Sequence, residues 1–193
     1  MLLCTPLYAL KKGISDFNIK KISIYNGRWS HDYGVMFGAL KYYNFGIHYH
    51  LSYQAFKAIS FQGGIAVNNF YYNIYSTSDK HPLSIMWFPI IVGSRVNLIS
   101  SRDKRHIINA YGKTGIAFAP SRESNNIKSE PFYEFGLGLS KKIKSGRSKL
   151  ILDVGMQNYK LQGTLISSFQ STIDYNLNFR SYLIRISWRK IIS

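Results

Sequence analysis

A chain of 193 residues and 22.2 kDa with a net charge of +16 is long enough for one domain that closes on itself. Aromatic residues make up 16% of it, yet its mean hydropathy is −0.12, and no apolar run approaches the roughly 18 residues of a membrane-spanning helix. The lone cysteine, Cys4, excludes an internal disulfide and any cysteine-based zinc site.

Residues 1–13 begin with an apolar stretch that has no basic residues in front of it, and read as the remnant of a signal segment or a short N-terminal extension. Residues 14–193 then form one domain. Its first strand lies within 17–40, where 22–25 and 33–37 compete for the role. The segment 45–54 is the clearest in the chain. Phe45, Ile47, Tyr49, Leu51 and Tyr53 fall on one face, and Gly46, His48, His50, Ser52 and Gln54 on the other. Successive side chains of a strand leave opposite faces, so one face meets something apolar and the other something wet. Further strands are expected at 58–70, 85–98, 107–118, 132–143, 149–159 and 179–190. Their lengths suit the roughly 9–11 residues with which a tilted strand crosses a bilayer. The segment 85–98 is the least regular, because Trp87, Pro89 and Ile91 fall on its polar face.

The connections alternate in length. Short or moderate ones at 55–57, 99–106 and 144–148 separate longer Ser/Asn-rich ones at 71–84, 119–130 and 161–178. Barrels of the outer membrane keep that order, with short turns on the periplasmic side and longer loops outside. The expected fold is therefore an all-β, closed, antiparallel, up-and-down transmembrane β-barrel of eight strands. A soluble β-barrel binding an apolar or anionic ligand has the same period with its apolar face turned inward, and is the alternative.

In the barrel reading the polar parity faces the lumen. It places His48, His50, Arg95, Lys113, Glu134, Asp153 and Arg185 inside. His48 and His50 share a face at i, i+2, a spacing that suits a metal ion on a strand, but filling a polar lumen is the favoured reading and no metal is assigned. Glu134 and Asp153 are read as counter-charges to Arg95, Lys113 or Arg185 rather than as a catalytic carboxylate pair, since a confined interior penalises unpaired charge. Gly63-Gly64 reads as a bend or bulge rather than a phosphate cradle. No G-x-S-x-G elbow or H-E-x-x-H pair is present, so no enzymatic activity and no cofactor are expected.

The excess positive charge concentrates at strand ends. Arg102, Lys104, Arg105, Lys144 and Arg147 form a basic rim, expected on the periplasmic side and facing anionic headgroups or an acidic envelope partner. Nucleic acid is not an expected partner, because the aromatics keep lipid-facing parity on nearly every strand instead of clustering as a stacking platform.

The run F-G-I-H-Y-H-L-S-Y-Q-A-F-K-A-I-S-F-Q-G-G-I-A-V-N-N-F-Y-Y from Phe45 resembles the second hairpin of small outer-membrane β-barrel proteins abundant in Bacteroidetes. His81-Pro82-Leu83 leading into Pro89-Ile90-Ile91-Val92-Gly93-Ser94-Arg95 resembles their central strand. Phe135-Gly136-Leu137-Gly138-Leu139, Leu152-Asp153-Val154-Gly155-Met156 and Leu183-Ile184-Arg185-Ile186-Ser187-Trp188-Arg189 resemble their last three. The resemblance covers about residues 30–190 and implies an eight-stranded porin-like or OmpA-like barrel in a bacterial outer membrane, with no catalytic motif. Such barrels often end in an aromatic residue read by the assembly machinery; this chain ends Ile191-Ile192-Ser193, leaving Trp188 for that role. The function expected is a non-enzymatic structural or accessory component, or a narrow pore, with membrane lipids as the first partner.

Overall fold

The computed structural model describes residues 24–40, 43–75, 80–118, 128–129, 131–143, 147–166 and 172–192. The strands are β1 (Ile24–Leu40), β2 (Tyr43–Phe56), β3 (Ile59–Tyr75), β4 (Lys80–Ser100), β5 (His106–Phe118), β6 (Lys128–Ser129), β7 (Pro131–Lys142), β8 (Ser148–Ile166) and β9 (Thr172–Ile191). Each is antiparallel to its neighbours, and the β1–β9 ladder, running from Ser30↔Ile191 to Leu40↔Ser181, closes the sheet on itself. The two residues of β6 pair with β8 just beyond β7, so β6 and β7 count as one interrupted strand of an eight-stranded barrel. Closure pairs both edges of the sheet within the barrel wall, and the β3–β4 and β8–β9 hairpins extend beyond it. The expected segment 1–13 lies outside the described residues.

Of the two stretches that compete for the first strand, β1 holds 33–37 together with Ile24 and Tyr25, while 22 and 23 lie outside the described residues. The connections expected at 71–84 and 161–178 are in large part strand. β3 and β4 stay paired out to Tyr75↔Lys80, and β8 and β9 out to Ile166↔Thr172. The ladder joins backbone amides, which pair whether or not the side chains alternate. Most of the segment expected as a loop at 119–130 lies outside the described residues. Gly63-Gly64 is not a bulge. It sits in unbroken register, Leu51↔Gly63 and His50↔Gly64 on one side, Gly63↔Val92 and Gly64↔Ile91 on the other. A Cβ on Gly64 would run into the Tyr49 carbonyl and lie 2.6 Å from Cδ2 of His50, so glycine here lets β2 and its imidazole approach. Pro89 has no N–H to donate, and the β3–β4 pairing skips from Ile65↔Ile90 to Asn68↔Trp87 around it.

The barrel is inverted relative to a soluble one. Along β2 the pattern alternates exposed and buried from Tyr43 to Ser52, with the apolar parity outside. Ile65, Val92, Leu137 and Val154 remain 51–59% exposed in the middle of their strands. Aromatic pairs lie toward the two ends of this belt: Tyr43↔Tyr71 and Phe88↔Phe118 at one end, and Trp29↔Tyr53, with centroids 4.8 Å apart, at the other. An apolar band flanked by aromatic girdles is how such barrels meet lipid and interface.

Candidate functional site

The inward parity of five strands assembles a charged layer halfway along the lumen. Register sets Lys113 opposite Glu134 and Asp153 opposite Arg185, and the side chains then reach further across the lumen. Arg95 on β4 donates from both terminal nitrogens to the two carboxylate oxygens of Asp153 on β8, each at 2.7 Å. Arg185 donates to Oε2 of Glu134 at 2.6 Å, and its other terminal nitrogen lies 3.6 Å from Asp153. Arg95 also donates to Asn109, which in turn donates to Ser140 at 3.0 Å. The Tyr111 ring lies among three cations, with Arg95, Lys113 and Arg185 at 5.3, 5.6 and 5.8 Å from its centroid. Asp153 is fully buried and Glu134, Arg185, Arg95 and Lys113 nearly so. Bidentate, charge-assisted pairing offsets a desolvation cost that a lone charge here could not bear.

His48 and His50 point into the same lumen with rings stacked 4.8 Å apart, both buried. His48 Nε2 is 3.0 Å from Ser187 Oγ, an arrangement that looks like a base beside a nucleophile. Among the described residues Nδ1 of that ring has no hydrogen-bond partner to orient it as a base. Among the described residues no group of three or more His, Cys, Asp and Glu side chains is placed to hold a metal ion.

Two further layers went unrecognised in the sequence. Toward the long-hairpin end, Phe70, Trp87, Phe132 and Tyr159 pack across the lumen, with centroids 4.7 Å apart for Phe70–Trp87, 5.1 Å for Trp87–Tyr159 and 4.9 Å for Phe132–Tyr159. Trp87 and Ile91, which made 85–98 look irregular, are buried members of the interior. The lumen is therefore not uniformly polar, as its parity suggested. Toward the short-turn end Asp32 collects four donors: Arg189 Nε and Nη2, each at 2.6 Å, Ser52 at 2.8 Å and Gln62 at 3.2 Å. The signal for Asp32 was present, since it shares parity with Ser30 and Met36, but β1 had not been located as one strand.

The rim residues Arg102, Lys104, Arg105 and Arg147 are exposed at the short-turn end, while Lys144 lies outside the described residues. Lys104 takes a left-handed conformation, φ 53°, in the tight turn between β4 and β5. The turn is less purely basic than its composition suggests, because Asp103 lies 3.7 Å from Arg105. A hydrogen bond from Ser101 and the Arg105 amide hold the Asp103 carboxyl below the usual carboxylate range.

No family model matches the chain, and no curated protein matches it. Among solved structures, the outer membrane protein AlkL, determined by solid-state NMR in DMPC lipid bilayers, is similar with a TM-score of 0.58 and 14% identity. The match covers 90% of this chain and 94% of that one. At that identity the likeness speaks to the fold, a closed eight-stranded antiparallel barrel of the outer-membrane type.

Proposed function

We propose that this protein is an integral barrel of a bacterial outer membrane, without enzymatic activity, that serves as a structural or accessory component rather than an open pore. The observation that carries the reading is the inversion of the barrel: ionised side chains paired inside, aliphatic ones half-exposed outside. An exterior of this kind is unstable in water and at ease in hydrocarbon. A soluble barrel with an apolar pocket is disfavoured by the same fact, since the interior carries the charge. The likeness to AlkL, itself an outer membrane protein, supports the compartment. Kinship with the small barrels of Bacteroidetes is carried by the strand motifs alone.

The lumen is crossed by its own side chains twice, by the Arg95–Asp153 and Arg185–Glu134 pairs and by the Phe70, Trp87, Phe132 and Tyr159 layer. Eight-stranded barrels have interiors just wide enough for side chains to fill. Membrane lipids are then the principal partner, and the exposed Arg102, Lys104, Arg105 and Arg147 offer a basic surface to headgroups or to an acidic envelope protein. Reconstitution into a planar bilayer tests the role: the barrel should insert and show no steady conductance. Persistent ohmic channels from the unaltered protein would make it a pore instead.

A further inference from the structure

At the short-turn end the lumen widens into a cavity of ≈ 540 Å³, a size within the roughly 300–1,000 Å³ of small-molecule sites. Its basic lining includes Lys57, Lys104, Lys142, Lys149 and Arg189, and among the described residues it has no carboxylate. Three of these cations stand side by side in one transverse row. Register places Lys142 opposite Lys149 and Lys149 opposite Arg189, all at inward parity. Like charges directly opposite one another on a sheet destabilise it.

Asp32 continues the row beyond Arg189, and among the described residues its ion pair is with Arg189. Its oxygens already accept from Arg189 twice, from Ser52 and from Gln62. Among the described residues no carboxylate lies in ion-pair reach of Lys142 or Lys149. Two neighbouring ammonium groups, only partly exposed, at the wall of a cavity call for a counter-charge from outside the chain. Their compact, strongly hydrated charge suits phosphate oxygens. The same cavity has an apolar wall, with Leu98, Ile107 and Ile191 beside the cations. That combination fits a phosphate group attached to an organic body better than a bare halide, which would leave most of the volume unfilled.

We propose that this mouth is a binding site for a multiply charged phosphate compound, with Lys142 and Lys149 as the ligands of the phosphate oxygens. The phosphate can belong to a soluble ester or to a lipid headgroup curling over the rim. The site is independent of whether the lumen conducts.

The test uses the full-length barrel folded in zwitterionic detergent, titrated calorimetrically with inorganic tripolyphosphate at low salt. Saturable binding at one site per barrel is expected. The pair Lys142→Gln with Lys149→Gln should weaken it roughly tenfold or more, whereas Arg180→Gln, exposed on β9 away from the cavity, should leave it unchanged. Lys142→Arg with Lys149→Arg should retain most of the affinity, which separates loss of charge from loss of fold. If the double Gln variant does not fold, the single Lys149→Gln variant must still bind more weakly. In phosphatidylcholine vesicles, phosphatidic acid that displaces tripolyphosphate assigns the site to a headgroup, and absence of displacement assigns it to a soluble phosphate. No saturable binding, equal weakening by Arg180→Gln, undiminished binding in the Gln variants, or equal binding of an acidic peptide would overturn the proposal.

Discussion

Replacing Asp153 by leucine removes the carboxylate on which the middle of the lumen converges. The side chain is fully buried, accepts two 2.7 Å hydrogen bonds from Arg95 and lies 3.6 Å from Arg185. Without it, among the described residues Arg95, Lys113 and Arg185 share the one carboxylate of Glu134, and Arg95 keeps its hydrogen bond to Asn109. Breaking a buried pair by deleting one partner costs about 3–5 kcal/mol, because the surviving charge stays desolvated. The loss should appear as a lower urea midpoint when the barrel is folded into lipid vesicles and unfolding is followed by tryptophan fluorescence. Arg105→Gln, which removes an exposed pair in a turn, is the control and should leave the midpoint in place. Adding Arg95→Met to Asp153→Leu should recover most of the loss, since both charges then leave together. Equal midpoints for Asp153→Leu and Arg105→Gln would refute the reasoning and mean that Asp153 is solvated.

Gly138→Val should destabilise by about 1–3 kcal/mol through overpacking, because a Cβ there falls 2.3 Å from Asp153 Oδ1 and 2.7 Å from Arg95 Nη1. Gly112→Val, with nothing within 4 Å, should be neutral in the same vesicle titration. Val154→Arg places a charge on the outer belt at a half-exposed site that a water-soluble protein would tolerate. In a bilayer it should cost about 2–4 kcal/mol of folding free energy, and no loss would count against lipid contact. Asp103 has a carboxyl held down by Ser101, so its contribution to the β4–β5 turn is present above the ordinary carboxylate pKa and is lost as pH falls through the lower folded value. The protection factor of the Arg105 amide, which donates to Asp103, should fall in that acid window relative to its value at neutral pH.

The parity of β2 was legible because its polar and apolar residues alternate without a break, and the fold followed from repeating that observation along the chain. The pairing of Arg95 with Asp153 was not legible. These residues stand on β4 and β8, separated around the barrel by β5 and β7, so their meeting depends on the stagger of every ladder between them. The aromatic layer was misread for a related reason. Trp87 and Ile91 broke the polar pattern of one strand, and only closure of the sheet brings Phe70, Phe132 and Tyr159 to join them. The outer hairpins were taken for loops because side-chain alternation is the sequence's signal for a strand, whereas the outermost ladder is held by the backbone. The row of Lys142, Lys149 and Arg189 needed register as well.

The central claim is that the apolar exterior meets lipid while the charged interior stays sealed. Urea-unfolded protein diluted into phosphatidylcholine vesicles should fold, gain β-sheet circular dichroism, and migrate faster on a gel when left unheated than when boiled. The same dilution into buffer without lipid or detergent should give aggregate. A monodisperse, β-rich monomer in plain buffer, with no association with vesicles, would contradict the account.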